Sequence, residues 1–230
     1  MAGEILSPDE VERILSMMSG TKPIHAEPPQ PRKPDPPPRL PLTKLRQLQS
    51  KLEHAGTKIA AHWSRRLMCC LEIKLTTIDT LLYSEFVFGL DNPSCFCQIA
   101  FHEDDTTRQA AVLDFNPTCA FGLFERMLGG GREQSLSIRR RMTKIEQACF
   151  TDLLQDFLHI FGDAWGGKFI ELVKMESNHH LISCFPHGKE VVAICFEVCM
   201  TDRRGGLCLA IPIEYVEQFL GPENAESDIE

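Results

Sequence analysis

The sequence predicts an α/β domain of the α+β kind, in which long helices pack on a largely antiparallel sheet and the whole pattern is built twice about a pseudo-twofold axis. A separate helix stands ahead of it on a tether. Two stretches with apolar residues every three or four positions are each followed by runs with strand character. Each half ends where a strand runs into a proline-opened short helix, at Phe115-Asn116-Pro117 and at Ala210-Ile211-Pro212. Nine of the fifteen prolines fall within residues 21–41. These observations divide the chain into a helix at 1–20, a linker at 21–41, a domain at 42–220 and an acidic tail at 221–230.

The first element starts sharply. Ser7 is its cap, Pro8 takes the first helical position, and Glu10 stands three residues after Ser7 to complete a capping box. Leu6 and Val11 fit a hydrophobic staple, Val11, Ile14, Leu15 and Met18 form one apolar stripe, and Asp9, Glu10 and Glu12 make the other face acidic. A helix of this length is marginal in water, so its stripe needs a surface to cover it. The linker composition favours extended polyproline II and, at about 3.1 Å per residue, holds the helix up to roughly 60 Å from the domain.

Leu45, Leu48, Leu52, Ala55, Ile59, Trp63 and Leu67 predict a long amphipathic helix over about 43–69. Strands are expected at EIKLTTIDT, SEFVFGL, CFCQIAF and QAAVLDF. A short helix follows with Asn116 as cap, Pro117 at its first position and a glycine stop at Gly129. The second long helix opens with a capping box from Thr143 to Glu146 and carries Ile145, Cys149, Phe150, Leu153, Leu154, Phe157, Ile160, Phe161 and Trp165 on a wide apolar face. Strands at FIELVKM, LISCF, EVVAICFEVCM and GLCLAI lead to a short helix opened by Pro212. The last ten residues carry four acids and read as disordered.

A formal net charge of −8 argues against nucleic acid as a partner, and the run Arg139-Arg140-Arg141 is too short to reverse that. Glu4, Asp9 and Glu10 and the lack of an apolar core at the N-terminus argue against a signal peptide. The ten cysteines therefore read as small apolar core residues of a reducing compartment, Cys95, Cys97, Cys195 and Cys199 among them. The pair His179-His180 after Asn178 reads as a solvated turn, and no His or Cys group has zinc spacing. No apolar run reaches the length of a membrane span. No P-loop, GxSxG or HExxH is present, so neither a cofactor nor a catalytic grouping is expected.

Five segments, ILSPDEVERIL, LLYSEF, DFNPTCAFGLFERMLGGGR, MTKIEQACFTDLL and VVAICFEVCMTDRRGGLCLAIPIEYVEQFL, together resemble the FliM family of flagellar motor switch proteins. The resemblance covers residues 4–20 and about 42–220. It implies a CheC-like middle domain and a place in the cytoplasmic C-ring, peripheral to the inner membrane at the flagellar basal body, beside neighbouring copies of the same chain. It implies an N-terminal helix that binds phosphorylated CheY, here through Leu6, Asp9, Glu10, Val11, Ile14, Leu15 and Met18. It also implies contact with FliG through a GGxG loop, matched by Gly129, Gly130 and Gly131, with Arg132 standing where the family has glycine. The family carries a further C-terminal domain of the SpoA type, shared with FliN, whereas this sequence stops soon after Leu220, so assembly with FliN is not implied.

The same fold includes CheC-type phosphatases of CheY, which need Glu-x-x-Asn on a long helix; a bare CheY-binding adaptor is the other alternative. Glu53-His54-Ala55-Gly56, Glu146-Gln147-Ala148-Cys149 and Asp156-Phe157-Leu158-His159 lack the amide, and neither long helix contains Asn. A non-enzymatic interaction protein is the expectation.

Overall fold

The computed structural model describes residues 40–103, 107–130, 139–201 and 203–221. The expected N-terminal helix, nearly all of the proline-rich linker and the acidic tail after Gly221 lie outside the described residues. The domain runs α1 (Leu42–Arg66), β1 (Leu71–Leu82), α2 (Tyr83–Phe88), β2 (Cys95–His102), β3 (Arg108–Phe115) and α3 (Pro117–Met127). The second half runs α4 (Lys144–Ala164), β4 (Phe169–Glu176), a 3-10 turn (His179–Leu181), β5 (Glu190–Met200), β6 (Arg203–Pro212) and α5 (Ile213–Leu220).

The six strands form one sheet in the order β1-β5-β6-β3-β2-β4, and every neighbouring pair is antiparallel. Exchanging the first three strands with the last three reverses this order onto itself, so the duplication read from the sequence is a pseudo-twofold axis between β3 and β6. Each half also lends its first strand to the other: β1 pairs with β5, and β4 with β2. Both outer strands are interrupted by a bulge, between Leu75 and Thr77 on β1 and at Val173 between Leu172 and Lys174 on β4.

One face of the sheet carries the main core. Leu48, Leu52, Ala55, Ile59 and Trp63 of α1 and Phe150, Leu153, Leu154, Phe157 and Phe161 of α4 bury against Ile99, Phe101, Leu113, Phe115, Ile194, Phe196 and Leu209. The rings interlock: Phe115 meets Phe150 edge-on at 5.2 Å, Trp63 lies 6.0 Å from Phe157, and Trp165 stacks on Phe219 of α5 at 4.2 Å. Truncating a ring such as Phe157 leaves a cavity costing about 3–5 kcal/mol. The opposite face is only partly covered, by Tyr83 and Phe86 of α2 and by Ile182, which sit over Phe96, Val112, Ala193 and Ala210.

Several expectations are corrected. SEFVFGL is not a strand; Tyr83–Phe88 is a helix because the Glu85 carboxylate accepts from the Leu82 N–H and Tyr83 and Phe86, three apart, both reach the sheet. LISCF is not a strand either: the chain turns at His179–Leu181 and crosses the half-covered face, burying Ile182. The pair at 179–180 is not wholly solvated, since His179 is buried against Phe96 while His180 is exposed. Finally, Ile145 and Cys149 of α4 face solvent, because the core-facing stripe begins only at Phe150.

Both long helices make a close glycine contact with the chain that follows them. A Cβ on Gly162 of α4 would collide with the carbonyl oxygen of Lys168, whose N–H donates to the Gly162 carbonyl at 3.0 Å. In α1, Gly56 brings the helix to within van der Waals distance of the Ile73 backbone. The predicted caps recur in the structure: Asn116 Oδ1 accepts from Cys119 N–H at 2.8 Å, and Thr143 exchanges both bonds of its box with Glu146. Pro212 is the cap residue of α5 rather than its first helical residue.

Candidate functional site

The glycine run read from the sequence begins at the end of α3. That helix is pressed directly on β6: a Cβ on Gly205 would lie 2.5 Å from Cys119 N, and one on Gly122 would lie 2.7 Å from Met200 Cε. Glu125 and Arg203 join helix and strand at 3.0 Å. The helix is closed by paired bonds, from Gly129 N–H to Arg126 O at 3.0 Å and from Gly130 N–H to Glu125 O at 2.9 Å, with Gly129 at φ +77°. This is the Schellman arrangement, in which the left-handed residue after the helix is usually glycine.

Gly129 thus answers a backbone demand, and a Cβ there would meet nothing within 4 Å, so the turn stands open on that side. Leu128, beside it, is 69% exposed. Gly131 and Arg132, the other two residues of the expected contact, lie outside the described residues.

The chain that returns toward α4 is also anchored. The Arg140 guanidinium sits over the Phe121 ring at 4.7 Å and pairs with Glu146 through bonds of 2.6 and 2.8 Å. That pairing, helped by the Thr143 N–H, holds the Glu146 carboxyl down to about 2. The glycine turn is thus tied to α3, and the chain entering α4 is tied separately to Phe121 of the same helix.

Of the acids weighed for phosphatase chemistry, Asp156 lies in the seam between the two long helices. Arg66 of α1 pairs with Asp152 and Asp156 of α4, and His62 lies 3.0 Å from Asp156. Glu53 accepts from Gln49 on its own helix at 2.8 Å. Asp156 is thus held in an ion-pair knot, and no amide follows it at the required spacing. This cross-helix knot escaped sequence reasoning because its members lie about 90 residues apart and are polar on both helices.

A second group missed in the sequence lies on the partly covered sheet face. Asp114 of β3 is buried and accepts from Ser94 Oγ at 2.5 Å; burial raises its carboxyl to about 7. Elsewhere a groove of about 350 Å³ opens between α4 and the outer strand β4, lined by Thr151, Gln155, Leu158, His159, Ile170 and Leu172 among others. Among the described residues no group of three or more His, Cys, Asp or Glu side chains could hold a metal ion, and no helix is long and apolar enough to cross a membrane.

Comparison with known proteins adds a family to this geometry. The family model described as flagellar motor switch protein FliM matches residues 42–222. The flagellar motor switch protein FliM of Treponema pallidum (strain Nichols) is 23% identical over 232 residues, covering 94% of this chain and 65% of that protein. That of Borreliella burgdorferi is 22% identical over 154 residues, covering 65% of this chain and 43% of that protein. The chain therefore spans only about two-fifths to two-thirds of those relatives' length.

Among solved structures, the FliM middle domain from H. pylori aligns with a TM-score of 0.69 at 20% identity, covering 79% of this chain and 98% of that one. A chain from the FliG-FliM complex of H. pylori aligns at 0.71 and 21%, covering 77% and 98%. These likenesses establish a shared fold.

Proposed function

The chain belongs to the FliM family of flagellar motor switch proteins, and from that premise we propose that it works as a non-enzymatic switch component that joins a signalling partner to the rotor through two separate contacts. The first is FliG, met by the corner at Leu128, Gly129 and Gly130 and continued by Gly131 and Arg132. The observation that carries this reading is the glycine closure of α3, which presents an exposed leucine on a turn whose backbone is fixed by two bonds back to the helix. A fixed turn forfeits little conformational entropy when it is covered, and glycines leave its backbone open to close approach. The fold match to a chain from a FliG-FliM complex adds support.

The test is co-precipitation of FliG with the full chain. Leu128→Glu places a charge where the leucine is exposed and leaves the fold alone, and Gly130→Trp adds bulk beside it. Each is expected to reduce FliG capture at least tenfold, or about 1.4 kcal/mol. Undiminished capture by both would return the corner to plain turn chemistry.

The second contact is phosphorylated CheY, taken by the stripe Val11, Ile14, Leu15 and Met18 with Leu6, and oriented by Asp9 and Glu10. An amphipathic helix laid into a groove reads as anchors at helical spacing, and the proline-rich linker raises the local concentration of what it captures. Titrating a labelled peptide of residues 1–20 with CheY, with and without a phosphoryl mimic, is expected to give tighter binding with the mimic. Equal affinity would remove the signal-reading role. Neighbouring copies in a ring, at the cytoplasmic side of the flagellar base, complete the proposal.

A further inference from the structure

The half-covered face of the sheet carries a row of side chains that neither contact uses. Cys195 of β5 and Cys208 of β6 are direct partners across the antiparallel ladder, with Thr77 of β1 opposite Cys195 and Asp114 of β3 opposite Cys208. Their neighbours Ile194 and Leu209 point into the helix-side core, so both thiols project from the other face. There they lie where the cover ends: Ala193 and Ala210 are buried beneath α2, whereas Glu197 and Gly206 on the far side are half-exposed. Both cysteines are themselves half-buried and free.

Directly opposed residues in antiparallel strands have Cα atoms about 4.5–5.5 Å apart, inside the range of about 4.4–6.8 Å that a disulfide spans. The two thiols are close enough to shift each other's acidity in opposite directions. We propose that Cys195 and Cys208 form a reversible two-thiol oxidation site, converted to a cross-strand disulfide by hydroperoxides.

The roles are unequal. Hydrogen bonds from Cys208 and then Thr77 lower the Cys195 thiol, whereas Cys208 is raised. Cys195 is therefore the attacking sulfur. Its thiolate attacks one peroxide oxygen and the O–O bond breaks. The departing oxygen takes a proton and leaves as water or alcohol, and a sulfenic acid remains. The Cys208 sulfur then attacks the sulfenic sulfur, the S–O bond breaks, and the hydroxyl leaves as water with the proton that Cys208 gives up. Two thiols are oxidised by two electrons and one peroxide is reduced. Once Cys195 is uncharged, the contact that holds the Cys208 proton in place is gone, so the first step prepares the second.

Cys199 is the internal control. It lies on the same strand and face and is half-exposed, but it stands opposite Glu72 and Arg204 rather than a thiol, and its raised thiol donates to Glu197 at 3.3 Å. The experiment uses the full chain with the exposed Cys70 and Cys149 changed to serine. It is treated with hydrogen peroxide, alkylated without reductant and digested with trypsin. Cleavage after Arg203 and Arg204 puts Cys195 and Cys208 on different peptides, 190–203 and 205–230. The expected product is the joined peptide pair bridged at Cys195, carrying more than half of the Cys208 signal and lost on adding dithiothreitol. In C208S, dimedone is expected to label Cys195 several-fold more than Cys199. Full alkylation of Cys208 at peroxide levels that oxidise Cys199, or a bridge that runs through Cys199, would overturn the proposal.

Discussion

Asp114 sits 2.5 Å from Ser94 Oγ on a sheet face, with no cation among the groups acting on it. Burial, opposed by the Ser94 bond and reinforced by Asp91 and Cys195, lifts its carboxyl from the usual range near 4 to about 7. Because the folded state holds the proton more tightly than the unfolded one, this residue's contribution is complete below about pH 4 and is lost as pH rises through 7. That loss corresponds to roughly 4 kcal/mol. Asp114→Asn keeps a partner for Ser94 and removes the titration. Urea melts across that range are expected to show wild type losing stability relative to the variant as pH rises, and parallel curves would refute the assignment. The sequence hid this residue, since an acid among QAAVLDF looks like the polar side of an exposed strand. It misread Cys195 and Cys199 in a related way: alternation places them on one face, but only the three-dimensional cover says which face is the core.

At the level of elements, caps and prolines carried most of the legible information. Asn116, Pro117, Thr143 and Glu146 act locally, within four residues, and the structure uses each as a one-dimensional pattern would suggest. Elements whose type depends on distant partners were misjudged. SEFVFGL is rich in strand formers, yet it lies on a sheet face rather than at an edge, and covering that face with Tyr83 and Phe86 overrides local preference. Ile145 was assigned to the core of α4 by spacing alone and is 77% exposed, because spacing does not say which side of a helix meets the sheet and it lies opposite the stripe of Phe150, Leu154 and Phe157. The fit of Gly162 against Lys168 was invisible for the same reason. Gly162→Ala raises helix propensity but drives a methyl into a backbone oxygen, so a net loss of about 3 kcal/mol is expected in thermal or chemical melts. A neutral or stabilising result would mean that the end of α4 stands off from β4.

For the whole molecule, the duplication was legible because two sequence patterns repeat in order, and the exchange of outer strands was not, because pairing between β1 and β5 leaves no local trace. The exchange makes the halves interdependent. Fragments 40–130 and 139–221 are expected to show no cooperative unfolding when produced separately, and to recover it when mixed, since each lacks the partner of its first strand. Cooperative melting of either alone would mean that the halves are autonomous modules. The shared ladder also bears on mechanics. Neither half can pull away from the other without unzipping the β1–β5 and β2–β4 ladders together, so the two part in a single step or not at all.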